Sequence, residues 1–390
     1  MGRLLRVFRD MIRNIDPVLF TCSILLSLIS IVTIVGAVDN FGMSKLYMQV
    51  FIFVVGILIT LIVAYVDFRA LVDKLWMWML AGSALLLILT LFFGSSGVNL
   101  ETSNKSWLEI PFLGVMIQPS EFVKFTFICT FAKHVFTVQE RINHPLTLLG
   151  LLLHAALIVG LILASGDLGV ALVYIFIIAV MLFCAGLHPL YFLVAAILCV
   201  LCFPFLWELL EPYQQKRILV GFNPELDPLG KGLQPLRSRA AIAAGGLLGG
   251  GVYGGYLYED LAASHTDFIF ATVCEKFGFL GGAAVLIIFI VMVVRIFMIA
   301  HAASRSDYGG LISVGVGAML IFQILLNIGM CFAMLPVIGL TLPFLSCGGS
   351  SMLATFMMLG LLHNVYSHSA SVRELQKNDT LDIDISLLDS

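Results

Sequence analysis

Polar and apolar positions along this chain sort into long blocks and do not alternate singly. Ten apolar blocks stand out, at 17–38, 47–66, 75–94, 119–137, 147–166, 168–186, 189–208, 268–300, 310–332 and 349–367. Each has about 18 residues or more, enough to cross roughly 30 Å of hydrocarbon as a helix. Inside lipid a backbone N–H or C=O has no water to bond, so helices, which satisfy both internally, are the form such blocks take. The pattern predicts an all-α polytopic membrane protein with ten transmembrane helices. An even number of crossings puts both chain ends in one compartment.

Charge identifies that compartment. Segments on the side of the termini carry Arg3, Arg6, Arg9, Arg13, Arg69, Lys74, Lys133, Arg141, Arg295, Arg305, Arg373 and Lys377, whereas the short loops opposite carry Lys45 and Lys105. Basic residues gather in cytoplasmic loops, so the N- and C-termini are both expected in the cytoplasm. The other, extracytoplasmic side then holds segment 95–118 and a large loop, about 209–267, between helices 7 and 8. Connections of that length are uncommon and usually functional. Residues 1–368 read as one membrane domain; the tail 369–390 ends in NDTLDIDISLLDS, acidic and coreless, and is expected to be disordered.

Composition agrees with this reading and excludes an ordinary soluble domain: 60% of residues are hydrophobic, 12% are charged, and the mean hydropathy is +1.05. The net charge of −3 says little about partners. The eight cysteines fall nearly all within apolar blocks and lack metal-ligand spacing, so they read as small core residues. The first apolar block follows a basic arm but is too long for a removable signal and has no small-residue cleavage site.

Ionisable side chains inside a bilayer are costly and mark function by default. QPSEFVKF opens the fourth block with Pro119 and Ser120 suited to a helix start, and with Glu121 and Lys124 three residues apart on one face. That pair is either a structural ion pair or one wall of a substrate cavity. SGDLG places Asp167 at a tight turn, where capping the sixth helix accounts for it. In SHTDF, Thr266 or Asp267 could cap the eighth helix, yet Asp267 also closes a long polar loop and so admits catalysis or substrate binding. NIGMCFAMLPVIGLTLPFLSCGGSS holds Asn327, with Gln323 one turn before it, then Pro336, Pro343 and Ser350, a broken backbone that lipid tolerates only against protein or a wet cavity. The glycines of GGLLGGGVYGG, preceded by Arg237 and Arg239, could cradle phosphate, although close packing is the commoner use and no P-loop pattern is present. Two classes fit these positions: a transporter with a site at the midplane, or an intramembrane enzyme working near one face. The outer placement of the ionisable groups favours the enzyme.

The same stretches, QPSEFVKF, DLGVALV, YQQKRIL with DPLGKG, AGGLLGGG, HTDFIFATVCEKFGFLGG and NIGMCFAMLPVIGLTLPFLSCGGSS, run in an order that resembles the SEDS family of bacterial cell-wall proteins, to which RodA, FtsW and SpoVE belong. The likeness covers about residues 15–368, and the short arm and tail are nearer the RodA branch. It implies a peptidoglycan glycosyltransferase that polymerises lipid II at the outer face of the bacterial cytoplasmic membrane, beside a class B penicillin-binding protein and the elongation or division machinery. It puts the catalytic carboxylate on Asp267 and a functional pair on Glu121 and Lys124. Lys216, Arg217, Arg237, Arg239 and Lys105 become candidates for the pyrophosphate, with His265 beside them in the substrate-binding set, while Asp167, Asn327 and Ser350 are structural. A divalent cation such as Mg²⁺ is a candidate cofactor only because carboxylates with pyrophosphate commonly recruit one. The chain departs from the family where the usual arginine before QPSE is Ser106, where QPDLG is SGDLG, and where Lys276 replaces a second glutamate. A flippase for the same lipid is the alternative reading.

Overall fold

The computed structural model describes residues 15–95, 104–110, 115–303 and 307–388, without the side chains of 110, 115, 206, 213, 217 and 370–388. Each of the ten apolar blocks carries a helix: α1 (Pro17–Val35), α2 (Met43–Tyr65), α3 (Phe68–Phe93), α4 (Pro119–Thr137), α5 (Pro145–Ala164), α6 (Leu168–Cys184), α7 (Pro189–Leu209), α10 (Ile269–Ala302), α11 (Gly309–Cys331) and α12 (Gly349–Leu388). Among the described residues, α1, α2, α3, α5, α10 and α11 are long and apolar enough to cross a membrane, while α6 and the Pro189–Phe205 part of α7 are apolar but shorter. The large loop adds two helices, α8 (Pro212–Phe222) and α9 (Leu233–Ala244). The backbone of α12 runs on to Leu388, and the expectation about order in the tail falls on side chains outside the described residues.

Local chemistry sets these starts. Proline stands in the first turn of α1, α4, α5, α7 and α8, where its missing N–H costs nothing. Asp16, Asp67 and Asp167 cap α1, α3 and α6 by accepting from the N–H of Leu19, Ala70 and Val170. Ser120 and Asp267, expected as caps, are not: α4 has Gln118 and α10 has Phe268 at the N-cap, and neither helix has a side-chain cap. α4 opens with Pro119 in its first turn, and at α10 the N-cap position falls on Phe268, one residue beyond Asp267.

The core lies among α4, α6, α10, α11 and α12, with α1 against α10 and α2 against α12. Small residues permit the closest approach: a Cβ on Gly56 of α2 would collide with the Phe356 ring, and one on Gly360 of α12 would press on Val63. Thr60 Oγ1 donates to the Phe356 carbonyl at 2.9 Å across the same seam. By contrast α7 has no buried residue among those described.

At one end of the bundle, ion pairs link separate elements. Arg295 donates through Nε and Nη2 to Asp16 Oδ2 at 2.9 and 2.6 Å, Lys133 Nζ pairs with Asp73 at 2.6 Å, and Arg69 pairs with Asp307. The motifs gather at the other end. There β1 (Leu108–Ile110) pairs antiparallel with β2 (Val115–Ile117), Glu109 opposite Met116, and β2 delivers the chain to α4.

α10 is not one continuous helix. Gly278 has φ 65° and ψ −163°, which breaks it into a short first piece and a long second one. The glycine loop enters the break: Gly250 and Gly251 N–H donate to the carbonyls of Glu275 and Lys276 at 3.0 and 2.9 Å, and Phe279 and Leu280 N–H donate to those of Gly246 and Leu247 at 2.8 and 3.2 Å. A Cβ on Gly249 would collide with the Lys276 carbonyl, and one on Gly278 with Gly249 N. Close packing, not a phosphate cradle, accounts for this cluster.

Candidate functional site

The SHTDF turn hangs on its own backbone. Phe268 N–H donates to the Ala263 carbonyl at 3.2 Å, and Ala263 sits at φ 56°. Four successive carbonyls are then taken by four different donors. Thr272 Oγ1 donates to Ser264 O at 2.9 Å, Cys347 N–H to His265 O at 2.9 Å, Ser346 Oγ to Thr266 O at 2.6 Å, and Asn327 Nδ2 to Asp267 O at 2.8 Å. These donors come from α10, α11 and the linker before α12. Asp267 itself is half-buried, and a Cβ on Gly339 would stand 3.5 Å from its Oδ2.

The linker that holds Asp267 also reaches the second motif. Ser350 Oγ, in the first turn of α12, accepts from Gln118 N–H at 3.2 Å, and Gln118 Nε2 donates to Asp167 Oδ2 at 3.0 Å. Next to it Lys124 Nζ donates to Glu121 Oε1 at 2.7 Å, both side chains being buried, and the Tyr174 hydroxyl donates to Ser120 O at 2.7 Å. Ile338 of the linker packs where a Cβ on Gly169 would be, two residues after Asp167. One segment, 338–350, therefore reaches Asp267, the turn of Asp167, and Gln118 at the start of the helix that carries Glu121 and Lys124. Burial raises the Asp167 carboxyl above its ordinary range, opposed by the Val170 N–H. Burial first, and the Lys45 charge second, hold the His265 imidazole below its usual range, and its ring leans on Phe41 at 5.1 Å.

The predicted phosphate ligands are less closely gathered. Lys216 pairs with Asp227 at 2.7 Å, and that side-chain hydrogen bond leads the causes that lower the Asp227 carboxyl. Arg239 lies 3.6 Å from Glu225, with both side chains exposed, and Arg237 Nη1 donates to Asp260 O at 2.6 Å. Lys105 is exposed; its N–H donates to Ser165 O at 3.0 Å, which sets the segment replacing the family's arginine against the SGDLG turn. The Arg217 side chain lies outside the described residues. Among the described residues no three His, Cys, Asp or Glu side chains form a group able to hold a metal ion.

Glu275 and Lys276, conspicuous in sequence, turn out to brace the loop. The two Glu275 oxygens accept from Leu257 and Tyr258 N–H, each at 2.8 Å. Lys276 Nζ donates to the carbonyls of Gly36, Val252 and Gly254 at 2.9, 3.0 and 3.2 Å and lies 4.2 Å from the Tyr258 ring centre. Sequence reasoning missed Ser346 altogether, although LPFLSCGGSS had marked its segment.

A family model described as cell cycle protein, FTSW_RODA_SPOVE, matches residues 14–371. The stage V sporulation protein E of Bacillus subtilis is 37% identical over 289 residues, covering 73% of this chain and 76% of that protein. A probable peptidoglycan glycosyltransferase FtsW of Trichlorobacter lovleyi is 33% identical over 347 residues, covering 85% and 86%. Among solved structures, a chain of a peptidoglycan synthase complex that coordinates polymerisation and crosslinking aligns with TM-score 0.77 at 29% identity, covering 91% of this chain and 98% of that one. The rod shape determining protein RodA of Thermus thermophilus aligns with TM-score 0.66 at 25% identity, covering 90% and 96%.

Proposed function

The chain belongs to the FtsW/RodA/SpoVE (SEDS) family of membrane proteins, and from that premise we propose that it is a peptidoglycan glycosyltransferase polymerising lipid II, with Asp267 as general base. The observation that carries this reading is the fixing of the turn that bears Asp267, where donors from three elements hold the carbonyls of Ser264, Thr266 and Asp267, a preorganisation that a mere surface carboxylate has no need of. In the reaction the carboxylate takes the proton of the attacking sugar hydroxyl. That oxygen bonds to the anomeric carbon of the second glycan, whose bond to the lipid pyrophosphate breaks, the electron pair leaving with the phosphate.

The leaving charge calls for cations. Lys216 and Arg239 are held in surface pairs with Asp227 and Glu225; solvent and salt screen such pairs, so a pyrophosphate can displace either carboxylate. Arg237 is already oriented by the Asp260 carbonyl. Glu121 and Lys124 form the buried wall beside Asp167.

The ten helices would all cross the bacterial cytoplasmic membrane, with the arginine-rich end in the cytoplasm and the Asp267 end outside, as the basic residues of Arg69, Lys133 and Arg295 at one end support. A class B penicillin-binding protein would crosslink the product, in keeping with the synthase complex to which the fold is similar. Carriage of the intact lipid across the bilayer is less favoured, because Lys124 and Lys276, the cations deep in the helices, are bound to protein groups.

Purified protein in liposomes with labelled lipid II, with and without its transpeptidase partner, tests this. Glycan polymer is expected from the native chain and none from Asp267→Asn. Translocation without polymer, or full polymerisation by Asp267→Asn, would overturn the proposal.

A further inference from the structure

Asn327 is fully buried in α11, where an amide costs free energy unless it is hydrogen-bonded. Its two N–H groups have separate destinations: Asp267 O at 2.8 Å and Leu340 O at 2.7 Å. The first is the backbone of the acidic residue. The second follows Gly339, whose φ of +75° turns the linker so that it passes the Asp267 carboxylate. One side chain thus spans the gap between the carboxylate's own backbone and the backbone that borders it.

The neighbouring bonds fix what remains. Ser346 Oγ donates to Thr266 O at 2.6 Å while accepting from Leu342 N–H at 2.7 Å, so the linker on the far side of Leu340 is tied to the same turn. Asn327 binds the Asp267 carbonyl itself, with the Cys331 thiol 3.9 Å from the same oxygen. Resting on the reading of Asp267 as the base, we infer that Asn327 is its positioning residue, setting the distance from the carboxylate to the Gly339–Leu340 backbone through paired hydrogen bonds.

The test uses the full chain in liposomes with lipid II. Asn327→Ala and Asn327→Leu both remove the donors, one leaving space and the other filling it. Displacing a catalytic group by about 1 Å costs on the order of 100-fold in rate, so kcat is expected to fall roughly 10- to 100-fold in both while KM for lipid II stays put. In an Asp267→Glu background, where the carboxylate is already displaced, Asn327→Ala is expected to add no further loss. Unchanged kcat in variants that melt like the native protein overturns the inference. So does a loss that multiplies fully with Asp267→Glu, which marks a general scaffold. If neither variant inserts, Asn327→Gln, which keeps the amide but shifts it by one methylene, carries the test on the same terms: a selective fall in kcat supports the inference and none overturns it. Asp267→Asn is assayed in parallel. Activity there removes the base itself, whereas loss there beside fully active Asn327 variants overturns only the positioning role.

Discussion

Replacing Lys276 with methionine keeps the volume and removes one buried charge, and its cost can be worked from the contacts. Three carbonyls, of Gly36, Val252 and Gly254, lose their donor, and the Tyr258 ring loses its cation. Hydrogen bonds to charged groups contribute about 1.5–3 kcal/mol each, so the gross loss is roughly 5–9 kcal/mol. The lysine's own desolvation is relieved at the same time. Measured costs of removing one partner from a buried charged set run to about 3–5 kcal/mol, and that is the range expected here. Val252 and Gly254 are half-buried, so water can reach their carbonyls once the loop lifts. The cheaper response is local opening of the glycine loop, not collapse of the bundle. Hydrogen exchange at the Gly250 and Gly251 amides, both bonded into the α10 break, should speed up by about 100-fold or more, since roughly 1.4 kcal/mol is a factor of ten. Native protection of those amides in Lys276→Met would refute the assignment of Lys276 as the loop's brace.

Further outcomes follow from the same geometry. Glu121→Gln or Lys124→Met alone should destabilise the protein by about 3–5 kcal/mol, and the two together by less than their sum; additive losses in thermal unfolding would mean the two do not act as a pair. Gly278→Ala, at φ 65° and against Gly249, should prevent stable insertion, scored by recovery of monodisperse protein; native yield would contradict the packing at the break. For His265 the folded imidazole titrates below the unfolded one, so its contribution is intact above about pH 6.5 and fades as pH falls through the folded value. His265→Gln should flatten that part of the acid limb of stability, and an unaltered limb would assign it to other groups.

The helices were legible because a membrane makes periodicity unnecessary: a block such as 145–164 has nowhere else to go. Pro119 even announced its own helix start. What sequence could not convey is where a lone polar side chain points. Glu275 and Lys276 look alike as intruders in an apolar run, yet each serves backbone groups more than fifteen residues away in the chain. Asp267 was legible as an acid at a helix mouth that could cap α10, but the N-cap position falls one residue later, on Phe268. The candidate phosphate ligands were chosen by charge alone, and their pairing with Asp227 and Glu225 depends on how α8 and α9 fold back. Asn327 was singled out as a polar residue in α11; the two carbonyls it serves lie sixty and thirteen positions away.

The interruption of α10 has a consequence for anyone exchanging parts between relatives. Breaking a helix inside lipid strands amides and carbonyls that no solvent can reach, and here residues 246–251 supply their partners. The loop is thus a spliced-in section of the helix, though the chain visits it some thirty residues earlier. A graft that moves one without the other should yield misassembled chains, whereas a transplant of 245–282 as a block should carry its own completeness with it.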